Sequence, residues 1–124
     1  MKAIKYQIIK VPVPSAGAIV NINTSSDKLY KRITGILVTM PFMVPYMNMS
    51  TLSLQINDRE IFPDEFEAKL ISFDSAVATN ERFYQLDETA DGSTIKGRYT
   101  DISNNFVDFP YTLNVYLRLE DRNV

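Results

Sequence analysis

Hydrophobic and polar residues alternate along most of the chain, with the period of two that is typical of β-strands with one buried face. The strongest example runs from Tyr111 to Glu120, where apolar residues occupy every second position. Because this apolar set is large and unbroken, we predict a central strand. A second clear strand carries alternating apolar residues from Leu52 to Ile56. We predict that the inward residues of the last strand form part of the core: Leu113, Val115, Leu117 and Leu119.

Six further segments have strand-like patterns, namely 4–13, 16–23, 29–40, 60–62, 82–86 and 94–100. In the first, Ile4, Tyr6 and Ile8 alternate with polar residues, and prolines follow at positions 12 and 14. Proline has no amide hydrogen to donate to a neighbouring strand, so this segment is predicted to be an edge strand or an extended connection. Gly35 in the middle of the third strand predicts a bulge or a close approach of another chain segment.

The segment 63–73 is compatible with two different structures. Pro63, followed by two acidic residues, is typical of the first turn of a helix, and Phe66, Leu70 and Phe73 recur at helical spacing. The same stretch also alternates polar and apolar residues as a strand would. The pattern therefore leaves helix and strand equally open.

About eight short strands separated by turn-forming residues predict an all-β fold. We expect an antiparallel β-sandwich of about eight strands, of which the jelly roll is one arrangement, with at most one short helix. A parallel α/β fold would need several alternating helices, and the pattern offers one at most. Residues 1–124 form a single domain in this interpretation, since no repeat, linker or low-complexity stretch interrupts them.

The composition narrows the possible chemistry. The 124 residues include neither Cys nor His, which removes thiolate nucleophiles, His-based catalytic triads and the commonest transition-metal ligands. The acids Asp87, Glu88, Asp91 and Asp101 lie near a turn and could ligate a hard cation such as Ca²⁺, although their spacing matches no EF-hand loop. We therefore predict a protein that is not an enzyme and that has no cofactor, metal site or catalytic residues.

The charge is nearly balanced overall but uneven along the chain. Thirteen basic and fifteen acidic residues give a net charge of −2, which does not indicate nucleic-acid binding. Residues 1–62 hold seven basic and three acidic side chains, a net of +4, whereas the remainder holds six and twelve, a net of −6. Folding could intermingle the two sets, or they could form a bipolar surface that guides head-to-tail packing of copies.

The segment 40–49 is the most unusual in the chain. It combines two prolines with four of the five methionines and is strongly apolar. It is too short to span a membrane, which takes about 20 apolar residues. We also expect no signal peptide, because Lys5 and Lys10 interrupt the start of the sequence before any apolar run reaches the required length. The segment could close one end of the core, or it could contact another subunit, for which Met and aromatic side chains are well suited. The predicted interface residues are Met40, Phe42, Met43, Tyr46, Met47 and Met49.

Several short runs extend a family resemblance across most of the chain. They are Ile33-Thr34-Gly35-Ile36, the strand 50–57, Glu60-Ile61-Phe62-Pro63, the strands 82–86 and 95–99, Pro110-Tyr111 and Tyr116-Leu117. In these runs the chain resembles small β-sandwich virion proteins of tailed phages that infect gut Bacteroidetes, in particular the auxiliary capsid or head-associated proteins of crAss-like phages.

The resemblance implies a non-enzymatic structural protein that decorates or stabilises the phage head. Its partners would be other virion or capsid proteins, including copies of itself, with no nucleic acid and no membrane. It would be located in the virion, and in the host cytoplasm during assembly. The alternative is a ligand- or carbohydrate-binding β-sandwich module, which would place a line of exposed aromatic side chains on one sheet face.

Overall fold

The protein is an antiparallel β-sandwich of two four-stranded sheets, as predicted. The computed structural model describes residues 3–39, 50–71, 83–90, 92–102 and 109–121. The strands are β1 (Ala3–Val13), β2 (Ile19–Ser25), β3 (Arg32–Thr39), β4 (Thr51–Ile56), β5 (Arg59–Phe62), β6 (Tyr84–Thr89), β7 (Thr94–Thr100) and β8 (Tyr111–Asp121).

The strand order is that of a jelly roll. Sheet A has the order β1-β8-β3-β6, and sheet B has the order β2-β7-β4-β5. Each strand pairs with the strand that has the same position counted from the other end of the chain. The pairs are β1 with β8, β2 with β7, β3 with β6 and β4 with β5. The chain is therefore one long folded ribbon wound into two sheets, which is the jelly-roll arrangement of antiparallel strands.

Strand β8 is central, as its sequence pattern predicted. It pairs with β1 on one side and with β3 on the other. Leu113, Val115, Leu117 and Leu119 are fully buried, and they pack against the inward side chains of β4, among them Leu52 and Leu54, in one continuous core. The alternation of apolar and polar residues thus sets which face of β8 meets the second sheet.

The bulge predicted at Gly35 is present. The register of β3 shifts between Ile33 and Gly35 against both of its neighbours. A Cβ atom added to Gly35 would lie 3.0 Å from Cβ of Phe83, so the glycine also allows a close approach. Both reasons for a glycine that the sequence suggested therefore apply at this position.

The segment 63–73 forms neither of the two predicted structures in the part that is described. A turn closes with a hydrogen bond from the Phe66 amide to the Pro63 carbonyl (3.2 Å), and Glu65 has a φ of 71°. Glu67 makes an isolated bridge to Thr51, and a short 3-10 turn follows over Ala68–Ile71. The left-handed backbone at Glu65 prevents a regular helix from starting at the proline. Within the described ranges, no helix has the length and apolar character that crossing a membrane requires.

The alternating residues at the start of β1 do not face the core. Ile9, Val11 and Val13 are the buried residues of this strand, whereas Ile4, Tyr6 and Ile8 lie on the opposite, outer face of sheet A. Strand β1 is an edge strand and contains Pro12, in agreement with the prediction. Its first half therefore presents an apolar row to the outside of the molecule.

Candidate functional site

The interface predicted from the sequence falls in a part of the chain that the structure does not describe. Met40, Phe42, Met43, Tyr46, Met47 and Met49 belong to the segment between Thr39 and Ser50. Thr39 ends β3 in sheet A, and Ser50 precedes β4 in sheet B, so the segment joins the two sheets at one end of the sandwich. Its role as a contact surface stays a prediction.

The acids considered as cation ligands are spread over different surroundings. Asp87 forms an ion pair with Arg32 at 2.8 Å, and Glu88 forms one with Arg59 at 3.2 Å. Asp101 is buried elsewhere, and Asp91 lies outside the described residues. In the ranges that the structure covers, no group of three or more acidic side chains could hold a metal ion.

Asp101 belongs to a buried polar network at one end of the sandwich. The hydroxyl of Tyr111 donates to a carboxylate oxygen of Asp101 and lies 2.7 Å from the hydroxyl of Tyr99. The amide of Gly17 donates to the other Asp101 oxygen at 3.1 Å, and the hydroxyl of Ser50 accepts from the amide of Ile102 at 2.7 Å. The network ties β7 and β8 to the turn before β2 and to the residue before β4.

Burial is the main reason why the two tyrosines of this network resist ionisation. It raises the pKa of Tyr111 above the ordinary value of 10.0, and the neighbouring Asp101 and Tyr99 raise it further. Burial also raises the pKa of Tyr99, although its hydrogen bonds to Tyr111 and Ser50 partly oppose that change. Both tyrosines are therefore neutral donors and acceptors that hold the fold together.

Two ion pairs bring the unevenly charged halves of the chain together inside the molecule. The pairs Arg32–Asp87 and Arg59–Glu88 each join a cation of the first half to an acid of the second half. A third pair, Lys5–Asp27 at 2.5 Å, lies within the first half. The structure therefore favours intermingled charges over two oppositely charged ends.

The outer face of sheet A carries the most distinctive surface among the described residues. Cross-strand pairing places three rows of side chains on this face, each running from β1 through β8 to β3. The rows are Ile4, Glu120 and Arg32; Tyr6, Arg118 and Gly35; and Ile8, Tyr116 and Leu37. The β1 member of each row is large, apolar and about half exposed, at 45% for Ile4, 45% for Tyr6 and 49% for Ile8.

Farther from the β1 edge, apolar side chains on the same face are shielded from solvent. Leu37 and Phe83 are only 7% and 6% exposed, yet neither belongs to the core between the sheets. The Phe83 ring packs over Gly35, and its centroid lies 5.5 Å from that of Tyr6. The outer face of sheet A thus has a second apolar layer whose exposed margin is Ile4, Tyr6 and Ile8.

A groove lies beside this margin, where the edges of the two sheets meet. It runs between β1 and β2, has a volume of about 310 Å³ and is lined by residues 8–12 and 20–24. At its end, the side chain of Gln7 bridges the sheets, donating to the Ser25 carbonyl at 2.9 Å and accepting from the Asp27 amide at 3.1 Å. Ile8 belongs both to the groove and to the apolar row, so the two features form one surface.

The outer face of sheet B is different in character. A shallow groove of about 270 Å³ crosses all four of its strands. Its polar lining residues are Asn21, Ser53, Gln55, Glu60, Asp64, Lys96 and Arg98. Among the described residues, no exposed aromatic side chain lines this groove, so the row of aromatics expected of a sugar-stacking face is missing there.

The sequence identified β1 as a strand but did not show that its apolar row, Ile4, Tyr6 and Ile8, faces outward. The clue was available in the second half of that strand, because Ile9, Val11 and Val13 occupy the alternate positions to Ile4, Tyr6 and Ile8. Both faces of β1 therefore carry apolar residues, and only one of them can meet the core.

Comparisons of the chain with protein-family models, curated proteins and solved structures find no match.

Proposed function

We propose that this protein is a non-enzymatic structural protein of a phage particle, an auxiliary capsid protein that decorates or stabilises the head through protein–protein contacts. The observation that carries the proposal is the exposed apolar row of Ile4, Tyr6 and Ile8 on the outer face of sheet A. Contiguous apolar side chains on a sheet face that would otherwise meet water are characteristic of interaction sites.

The architecture supports the same proposal. Jelly rolls are a recurrent fold of viral shell proteins, although they also occur in lectins and other proteins, so the fold alone carries no function. The resemblance to head-associated proteins of crAss-like phages adds a specific context. In that context the partners are other virion or capsid proteins, or further copies of this chain, and the protein is located in the virion after assembly in the host cytoplasm.

The composition of the proposed docking surface fits this kind of partner. Tyr6 and Tyr116 provide aromatic contacts, and the isoleucines on either side of Tyr6 provide aliphatic ones. Aromatic side chains are enriched in the cores of protein interfaces, where charged side chains are depleted. Among the described residues, the cations on this face are Lys10, Arg32 and Arg118, which do not form the dense basic patch that nucleic-acid backbones require.

Particle incorporation tests the proposal directly. We expect the wild-type chain to co-purify with particles of the phage that encodes it, at a constant copy number per particle. A Tyr6→Ser and Ile8→Ser double variant should remain in the soluble lysate while its melting temperature stays close to that of the wild type. The matched control is Gln55→Ser with Lys96→Ser, two exposed positions on the outer face of sheet B that lie away from the groove between β1 and β2, which should incorporate normally.

Two results would contradict this proposal in different ways. If purified particles lack the wild-type chain, the virion role is wrong. If the wild-type chain is present and the Tyr6 and Ile8 double variant incorporates equally well, the chain docks through another surface.

Glycan binding is a second candidate function, favoured by the polar groove on the outer face of sheet B. Amide, hydroxyl, carboxylate and guanidinium groups converge there in a space of about 270 Å³. Such groups can hydrogen-bond the hydroxyls of a sugar. Binding to a glycan array that is lost in Gln55→Ala with Arg98→Ala would favour this function, and the absence of any array signal for the wild type would count against it.

A further inference from the structure

Arg118 occupies the centre of the outer face of sheet A without an electrostatic partner among the described residues. It pairs across the strands with Tyr6 on one side and Gly35 on the other. Its Nε atom is buried and has no hydrogen-bond acceptor. A buried donor on a charged group that lacks an acceptor is energetically unfavourable, and such groups in proteins usually have an identifiable purpose.

On the side away from Glu120, the surroundings of Arg118 are aromatic and apolar. Tyr6 and Phe83 approach each other across the row that contains Arg118, with their rings tilted by 38°. The hydroxyl of Thr34 donates to the Arg118 carbonyl at 3.4 Å, which helps to hold β8 against the bulge in β3. An arginine surrounded by aromatic and aliphatic side chains has the composition of the residues that contribute most to protein binding.

The acids on the same face do not neutralise Arg118. Asp87 is paired with Arg32, whose guanidinium also donates to the Thr89 hydroxyl and the Asp87 carbonyl. Glu120 is two residues from Arg118 on β8 and is 7% exposed, and no ion pair between these two side chains occurs in the described structure. Arg118 is partly exposed, and of its guanidinium nitrogens only Nε is buried without an acceptor, so a carboxylate from outside the molecule can reach the two terminal nitrogens.

We propose that Arg118 is a binding site for a carboxylate of the docked partner. The partner segment presents an Asp or Glu side chain to the guanidinium, and apolar side chains next to that acid pack on Ile4, Tyr6 and Ile8. A planar guanidinium binds a carboxylate through two parallel hydrogen bonds, which gives geometric specificity as well as attraction. This inference rests on the proposed docking function of the outer face of sheet A and adds the chemistry of the partner.

A carboxylate fits this position better than a phosphate backbone. Among the described residues, the other cations on this face are Arg32, which is already paired with Asp87, and Lys10, which lies two rows away. The other members of the Arg118 row are Tyr6 and Gly35, and the next row holds Ile8, Tyr116 and Leu37. Phosphate-rich ligands are bound by several cations in a line, whereas one arginine within an apolar margin matches a single acid within an apolar segment.

A pair of small probes tests this site without the particle. The probes are 3-phenylpropionate and its neutral analogue 3-phenylpropanamide, each titrated into the isotope-labelled full chain and followed by NMR. We expect the acid to shift the Arg118 Nε–H and Tyr6 ring signals and to bind at least fivefold more tightly than the amide. Arg118→Gln should abolish this preference, Arg118→Lys should retain part of it, and the control Arg98→Gln should leave it unchanged.

The outcomes separate this inference from the proposed function. Equal affinity of the two probes, or a preference that survives Arg118→Gln, overturns the carboxylate site even if the wild-type chain docks on particles. A preference that depends on Arg118 supports the site even if the chain is missing from particles. In particles that do contain the chain, Arg118→Gln should lower its copy number at least tenfold, and a copy number within twofold of the wild type would also overturn the inference.

Discussion

Gly97 shows how a single residue sets the spacing between two strands. It lies in β7, opposite Leu54 of β4, and a Cβ atom built on it would collide with the carbonyl oxygen of Ser53. The obstacle is backbone, so it cannot move aside as the end of a flexible side chain would. The sequence alone does not predict this close contact, because the approach of β4 is a property of the assembled sheet.

A Gly97→Ala substitution is therefore expected to destabilise the protein. Forcing an extra methyl into a packed site usually costs about 1–3 kcal/mol. The measurement is the free energy of unfolding from a denaturant titration, with Lys96→Ala, an exposed neighbour on the same strand, as the control. A Gly97→Ala protein as stable as the control would show that β4 and β7 are farther apart than described.

The buried tyrosines lead to a prediction about alkaline pH. Because the pKa values of Tyr99 and Tyr111 are raised by folding, the folded state keeps protons that the unfolded state releases above pH 10.0. Stability from these groups is therefore complete below that pH and is lost as the pH rises above it. Lys5, whose pKa is raised by its bond to Asp27, acts in the same direction.

Comparison with Tyr111→Phe isolates the contribution of the tyrosine network. The variant retains the Lys5–Asp27 pair, so only the tyrosine contribution differs. We expect the free energy of unfolding of the wild type to fall more steeply between pH 9 and pH 11 than that of Tyr111→Phe. Parallel pH profiles would mean that the Tyr111 hydroxyl ionises as readily in the folded as in the unfolded protein.

At the scale of the elements, the success of prediction followed the clarity of the local pattern. Strand β7 has the predicted bounds. Strand β8 has the predicted central position, because an unbroken row of apolar residues on one face has to be buried in the core. Which face of β1 meets the core was not predictable in the same way. Apolar residues occur on both of its faces, and the choice depends on which face meets sheet B.

The structure of the segment 63–73 was not predicted, for a different reason. Its local signals were compatible with helix and strand, but the described part is shaped by tertiary contacts. The Leu52 amide donates to the Phe66 carbonyl at 2.9 Å, and the Ala68 amide donates to the Ser50 carbonyl at 2.9 Å. Contacts between residues distant in sequence override weak local propensity. The lack of an ion pair at Arg118 in the described structure was not predictable for the same reason. Which acid pairs with which cation is decided only by folding.

Leu117→Ala tests the assignment of β8 to the core. Leu117 is fully buried, and truncation of a well-packed leucine typically costs about 2–5 kcal/mol. Thr112→Ala, an exposed position on the same strand, should change the free energy of unfolding by less than about 0.5 kcal/mol. A similarly small loss for Leu117→Ala in a denaturant titration would contradict the assignment.

The segment between β3 and β4 has its own prediction. From Pro41 and Pro45 we predict that the segment forms neither a regular ladder strand nor a helix, and we expect some of its apolar side chains to stay outside the core. We expect Phe42→Ser with Tyr46→Ser to weaken incorporation into particles while changing monomer stability only modestly, as measured by copy number and thermal melting. A double variant that unfolds, with no separable assembly defect, would make this segment a lid on its own core.

At the scale of the whole molecule, the two sheets present different outer faces. The face of sheet A has an apolar margin and an available guanidinium, whereas the face of sheet B has a polar groove. The charges of the two halves of the chain meet within the molecule, at Arg32–Asp87 and Arg59–Glu88. Orientation on a shell would therefore be set by the contrast between an apolar and a polar face rather than by a charge dipole.

A density map of the phage particle at side-chain resolution would show which surface of the protein docks. We expect the outer face of sheet A to be buried against a neighbouring virion protein, with Tyr6 and Ile8 in contact and an acidic side chain at Arg118. The outer face of sheet B would then point to solvent. A map in which the outer face of sheet A is exposed and another surface makes the contact would overturn the proposed docking.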